Sequence, residues 1–127
     1  PGGGFTNATA RLPQVSDFTE SAATADIDGD GDLDILAMNI FGGTPPTGPL
    51  TAPYVLINNG SGEFTRADDR LPAAVTARVQ TDKFTAVGFL DANGDGRPDL
   101  FLGTHGDSAQ NSKILLNDGT GRFTTEI

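Results

Sequence analysis

Two nine-residue stretches of the chain hold the side chains best suited to chemistry. The first reads Asp26-Ile27-Asp28-Gly29-Asp30-Gly31-Asp32-Leu33-Asp34, the second Asp91-Ala92-Asn93-Gly94-Asp95-Gly96-Arg97-Pro98-Asp99. Both fit D-x-[DN]-x-D-G-x-x-D. Oxygen-bearing side chains fall at positions 1, 3, 5 and 9, and glycine at position 6 permits a sharp turn. Position 7, Asp32 or Arg97, would offer only its backbone carbonyl. A loop wound this tightly can surround a hard dication such as Ca2+, which takes about six to eight oxygens. Electrostatics points the same way: five carboxylates crowd the first stretch and repel unless a cation sits among them. Arg97 gives partial relief in the second. Zn2+ is disfavoured by zero Cys and a single His. Mg2+ prefers smaller, water-rich shells. An EF-hand would need Glu at position 12, where Ala37 and Leu102 stand, and helices on either side. The competing reading is a solvated Asp/Gly turn without metal.

These loops must be carried by something, and the chain repeats. Gly60-Ser61-Gly62-Glu63-Phe64-Thr65 recurs as Gly119-Thr120-Gly121-Arg122-Phe123-Thr124, an offset of 59. The same offset relates Phe5-Thr6 to Phe64-Thr65, Arg11-Leu12-Pro13 to Arg70-Leu71-Pro72, and Leu56-Ile57-Asn58 to Leu115-Leu116-Asn117. The acidic stretches sit 65 apart, so the second copy carries six extra residues before its loop, around 77–81. The first copy compensates after its loop, in the Pro/Gly/Thr segment 42–49, which reads as a surface loop.

No segment shows a helical apolar period. Residues 33–38, 54–57, 84–90 and 113–116 read as strands. Asn59-Gly60 and Asp118-Gly119 supply residues that accept positive φ and open tight hairpins. Each copy then offers one strand before the acidic loop, one after it, and a hairpin. Four antiparallel strands repeated at this period suggest an all-β fold of two propeller-type blades. The expected boundaries are 1–13 for a strand equivalent to the last strand of a preceding repeat, 14–72 for the first blade and 73–127 for the second. Residues 5–8 would complete a neighbouring blade or pair with another molecule's open edge.

The run Ala25–Leu36 resembles the FG-GAP/VCBS repeat, as does Phe89–Leu100 with the later Leu115–Thr124. The resemblance implies integrin-α-like β-propeller blades, with Ca2+ in the hairpin between the first two strands of each. It implies one ion ligated by the Asp26, Asp28, Asp30 and Asp34 side chains, and another by Asp91, Asn93, Asp95 and Asp99. The Asp32 and Arg97 carbonyls would assist. Two blades cannot close the ring of about seven that such repeats build, so the chain would be a fragment, an assembly subunit or an open module. Exposed sheet edges would then invite other copies of itself or further blades of a larger propeller.

The remaining candidates carry less. With 17 Asp+Glu against 8 Lys+Arg, the net charge of −9 argues against nucleic acid and anionic membrane surfaces. No apolar run is long enough to insert in a membrane. His105 stands too close to Asp107 and Ser108 along one loop to make a converging triad with them. Asp68-Asp69 reads as surface acids near a turn, and Gly2-Gly3-Gly4 lacks the setting of a phosphate loop. Phe5, Phe64 and Phe123 recur with the repeat and read as core. Asn7 and Asn59 begin N-glycosylation sequons. No catalytic constellation emerges. The expectation is a non-catalytic, extracellular, calcium-binding repeat module with a structural, adhesive or self-assembly role. The alternatives are a carbohydrate-binding module holding glycan, or a fragment of a secreted polysaccharide-processing enzyme.

Overall fold

The structure, a computed structural model, describes residues 3–15, 17, 19–39, 52–76, 84–104 and 111–127. Among these residues the chain forms β1 (Thr19–Ala25), β2 (Asp34–Asn39), β3 (Tyr54–Asn58), β4 (Phe64–Ala67), β5 (Phe84–Leu90), β6 (Asp99–Thr104), β7 (Lys113–Asn117) and β8 (Phe123–Glu126). They make two four-stranded sheets in the orders β1-β2-β3-β4 and β5-β6-β7-β8. Every pairing is antiparallel. The fold is all-β, one sheet per sequence repeat, and the two sheets form no closed ring. Both first strands carry a register irregularity at the same repeat position, between Thr19 and Ser21 and between Phe84 and Ala86.

The apolar runs explain the strands that hold the loops. β2 reads Asp-Ile-Leu-Ala-Met-Asn and is buried along almost its whole length, as expected of a strand covered on both faces. β1 has little apolar content, and its small residues Ser21, Ala22, Ala23 and Ala25 let it lie against β5 of the other sheet. Between the sheets, Leu36, Met38 and Val55 meet Phe84, Leu100, Leu102, Leu115 and Phe123 in one core. Leu71 and Val75, the latter on the four-residue helix α1 (Ala73–Thr76), close one side of it. Each such side chain contributes about 1.5–3 kcal/mol on burial. A smaller cluster, Ala37, Tyr54 and Leu56 with Ile35 and Phe64, occupies the far face of the first sheet.

In the single chain residues 3–8 form no strand and Phe5 is fully exposed; the pairing expected of residues 5–8 is with a neighbouring blade or another molecule. Two expectations change. Phe123 is buried and Phe64 half-buried, so the core role belongs to two of the three recurring phenylalanines. The hairpin turns take positive φ at Gly60, Gly62, Gly119 and Gly121 but not at Asn59 or Asp118. Those two act instead as side-chain acceptors: Asn59 Oδ1 takes the Ser61 N–H at 3.0 Å, and Asp118 Oδ1 the Thr120 N–H at 2.8 Å. The Thr120 hydroxyl and N–H together hold the Asp118 carboxyl below the usual range. Asp68 and Asp69 lie in an exposed 3-10 turn, Asp68–Arg70, and each pairs with an arginine, Arg66 and Arg122. The expected loop at 42–49, the insertion around 77–81, Gly2 and His105 lie outside the described residues.

Candidate metal centre

Loop one joins β1 to β2, and loop two joins β5 to β6. Each is held at its end by the position-9 aspartate, which is buried. Asp34 Oδ2 accepts the Ile27 N–H at 3.1 Å, and its Oδ1 accepts the Asn58 N–H of β3 at 2.8 Å. Asp99 repeats this with Ala92 at 3.0 Å and Asn117 at 2.8 Å. One carboxylate thus ties the loop's start to the neighbouring hairpin. Burial pushes the Asp34 carboxyl above its ordinary range; the Asn58 and Ile27 N–H groups oppose this, and the Asp28 and Asp30 charges add to it.

The position-1 aspartate winds the loop from within. Asp26 accepts Gly29 N–H at 2.8 Å and Gly31 N–H at 3.0 Å. Asp91 accepts Gly94 N–H at 2.7 Å and Gly96 N–H at 2.9 Å. Gly31 and Gly96 sit at φ of 94° and 81°, the left-handed region that a side chain would strain. The sixth-position glycine therefore does what its place in the pattern requires.

In loop one this winding brings Asp26, Asp28 and Asp34 together, with one carboxylate oxygen from each within 4.8 Å of the others. Asp28 Oδ1 is buried and has no hydrogen-bond partner, a costly condition for a carboxylate oxygen. Asp30 lies outside this trio, exposed, with Oδ1 accepting the Asp32 N–H at 2.9 Å. The Asp32 carboxylate lies against Gly60 of the adjacent hairpin, so its side chain is spent elsewhere.

Loop two has the same backbone but a different balance of charge. Position 3 is Asn93, whose Nδ2 donates to Asp95 Oδ2 at 2.8 Å. Arg97 Nη2 reaches the same oxygen at 2.6 Å. The Arg97 N–H, then the Asn93 amide and the Arg97 guanidinium, hold the Asp95 carboxyl below its usual range. Among the described residues, the acids of loop two form no trio like that of loop one. Asp91, Asn93, Asp95 and Asp99 keep their expected loop positions, but an internal cation already answers Asp95.

Two asparagines carry weight that ligand spacing does not reveal. Asn58 Oδ1 accepts the Gly60 and Gly62 N–H groups, each at 3.1 Å, while its Nδ2 donates to Leu33 O at 3.2 Å. Asn117 does the same for Gly119 and Gly121 and for Pro98 O, and its Nδ2 also reaches Ile27 O across the two sheets at 2.8 Å. Their signal was the repeated Asn-[Asn/Asp]-Gly run. Comparison with models of protein families, with curated proteins and with solved structures finds no match to this chain.

Proposed function

We propose that the chain is a non-catalytic, extracellular β-repeat module of FG-GAP/VCBS type whose acidic loops bind Ca2+, with a structural, adhesive or self-assembly role. The observation that carries this reading is the convergence of Asp26, Asp28 and Asp34, together with a buried Asp28 oxygen that lacks a hydrogen-bond partner. An all-oxygen, all-anionic donor set suits Ca2+ better than softer metals. Asp26, Asp28 and Asp34 would hold the ion in loop one, with Asp30 and the Asp32 carbonyl in reach of the same winding. Asp91, Asn93, Asp95, Asp99 and the Arg97 carbonyl would hold a second, weaker one. The bound ion supplies positive charge that cancels carboxylate repulsion and fixes the loop between its strands; two ions change the formal charge from −9 to −5.

The test is thermal melting in Ca2+ and in chelator, with calorimetric titration of the metal-free protein. A ligand at 100 times its dissociation constant stabilises by about 2.7 kcal/mol. We expect a melting midpoint several degrees higher in Ca2+ and saturable binding that an Asp28→Asn variant weakens. An unchanged midpoint with no heat of binding would leave the solvated-turn reading in its place.

A further inference from the structure

The two acidic loops share one winding but have unequal surroundings. In loop one Ile27 is buried and Asp26 and Asp28 are half-buried, whereas at the same places in loop two Ala92 is half-buried and Asp91 and Asn93 are exposed. What lies against loop one is the turn between β7 and β8, which belongs to the other repeat. Asn117 Nδ2 donates to Ile27 O at 2.8 Å, across 90 positions of the chain. Gly121 approaches so closely that an added Cβ would stand 3.2 Å from Asp28 Cβ and 3.3 Å from Ile27 O. At its counterpart in the first repeat, Gly62, an added Cβ meets only the Arg11 guanidinium. The counterpart amide of Asn58 goes to Leu33 O within its own repeat.

Asn117 is held rigidly enough to fix what it touches. It is buried and uses the whole hydrogen-bonding capacity of its side-chain amide. Oδ1 accepts the Gly119 N–H at 2.9 Å and the Gly121 N–H at 3.2 Å. Nδ2 divides its two hydrogens between Ile27 O and Pro98 O, the latter at 3.2 Å. Its backbone N–H is bound by the buried Asp99 at 2.8 Å. Ile27 passes the constraint on. Its N–H, accepted by Asp34 Oδ2 at 3.1 Å, lies in the peptide unit that joins it to Asp26. Its C=O, held by Asn117, lies in the unit that joins it to Asp28. Fixing both units orients the two residues whose carboxylates converge with Asp34. Gly121 meanwhile covers Asp28, whose Oδ1 is buried without a hydrogen-bond partner.

We propose that Asn117 and Gly121 are positioning residues for the acidic centre of loop one, so that the second repeat completes a site whose ligands all belong to the first. Neither residue is a ligand: Asn117 acts through Ile27, and Gly121 acts by keeping water from Asp28. Partners that orient metal ligands in this way typically account for about 10- to 100-fold in affinity. The effect on affinity rests on the Ca2+ reading proposed above, whereas the positioning itself belongs to the metal-free chain.

Nuclear magnetic resonance reads the loops separately, through the amides of Gly29 and Gly31 in one and Gly94 and Gly96 in the other. Asn58→Ala and Asn117→Ala each remove the acceptor of a turn and a bond to position 8 of the loop in the same repeat, Leu33 O or Pro98 O. Only Asn117→Ala also removes the bond to the other repeat. In Ca2+ titrations, Asn58→Ala should therefore shift the midpoint of loop one alone. Asn117→Ala should shift both loops, loop one by about 10-fold or more. Gly121→Ala, which keeps Asn117, should weaken loop one by more than Gly62→Ala does, although both place a side chain at φ of 77°. In chelator, Gly121→Ala should quicken hydrogen exchange at Gly29 and Gly31 relative to Gly94 and Gly96. Asn117→Ala that shifts loop two only, or equal loop-one midpoints for Gly121→Ala and Gly62→Ala, overturns the proposal. A wild type in which neither loop responds to Ca2+ removes the metal reading, and exchange in chelator then decides the positioning: quickened rates at Gly29 and Gly31 keep it, and unchanged rates remove it.

Discussion

Replacing Asp34 with Asn separates the structural role of this carboxylate from the metal-binding role proposed for it. Its two oxygens receive two backbone N–H groups, from Ile27 at 3.1 Å and from Asn58 at 2.8 Å, in a buried position. An amide has one oxygen, so one of the two N–H groups would face an NH2 and lose its acceptor. A buried donor left unsatisfied costs about 1–3 kcal/mol, and the surviving bond loses roughly another 1 kcal/mol with its charge. Against this, removing the charge relieves the desolvation that pushes Asp34 upward and its repulsion with Asp28 and Asp30. The net expectation is a loss of about 1–3 kcal/mol, or between about 4 and 15 °C in melting midpoint for a chain of this size.

Circular dichroism melts in chelator measure the staple alone. Asp99→Asn should lose a comparable amount, because Asp99 makes the same two bonds in the second repeat. Adding Ca2+ then tests the proposed role: the wild type should gain stability by mass action and Asp34→Asn should gain less. The gap between the two should widen with Ca2+. A variant that melts with the wild type in chelator would refute the staple. A gap that Ca2+ leaves unchanged would remove Asp34 from the metal centre.

Three further outcomes follow from single positions. Leu71→Ala should cost about 2–5 kcal/mol and its repeat counterpart Leu12→Ala less than about 0.5 kcal/mol, read as paired melting midpoints, because only Leu71 is sealed in the core. Gly121→Ala should destabilise by about 1–3 kcal/mol and exceed Gly62→Ala: both have φ of 77°, but a Cβ at 121 meets Asp28 Cβ at 3.2 Å and Ile27 O at 3.3 Å, whereas at 62 it meets only the movable Arg11 guanidinium. Tyr54, the chain's one tyrosine, is pushed up to about 12 by burial and by donating to Asp17 at 2.7 Å. The fold holds the neutral phenol, so the Tyr54 contribution to stability should be level below about pH 10 and fall as pH rises from there toward 12. Phenolate absorbance at 295 nm reads it directly, and a native titration near 10 would contradict the Tyr54–Asp17 contact.

The repeat was legible because its anchors have strict local demands. Gly60, Gly62, Gly119 and Gly121 must accept positive φ, and the apolar runs at β2, β3, β6 and β7 must be strands to bury both faces. β1 was legible only by analogy with β5, since Thr-Glu-Ser-Ala-Ala-Thr-Ala has no apolar alternation; its smallness matters through the approach to β5. The segment expected to pair at 5–8 is the opposite case. Phe5-Thr6 carries the right local signal, but a strand exists only through a partner, and local sequence does not supply one. The turn asparagines show a subtler limit. Asn and Gly both suit left-handed backbone, yet where both are present Gly takes that conformation at lower cost, which frees Asn59 to act as an acceptor.

The two acidic loops show how far a shared pattern constrains chemistry. Positions 1, 6 and 9 have identical backbone duties in both, so the winding is common and independent of charge. Charge differs between the loops at positions 3 and 7, Asp28 and Asp32 in one, Asn93 and Arg97 in the other. With Asp28 and Asp32 there, loop one presents carboxylates without an internal cation, and one buried oxygen is left unanswered. With Asn93 and Arg97, loop two answers its own Asp95 at 2.8 and 2.6 Å. An incoming dication would find an open demand in the first loop and would have to displace a guanidinium in the second. Two loops of one spacing therefore need not be two sites of one affinity, and under the proposed metal binding positions 3 and 7 would set the order of filling.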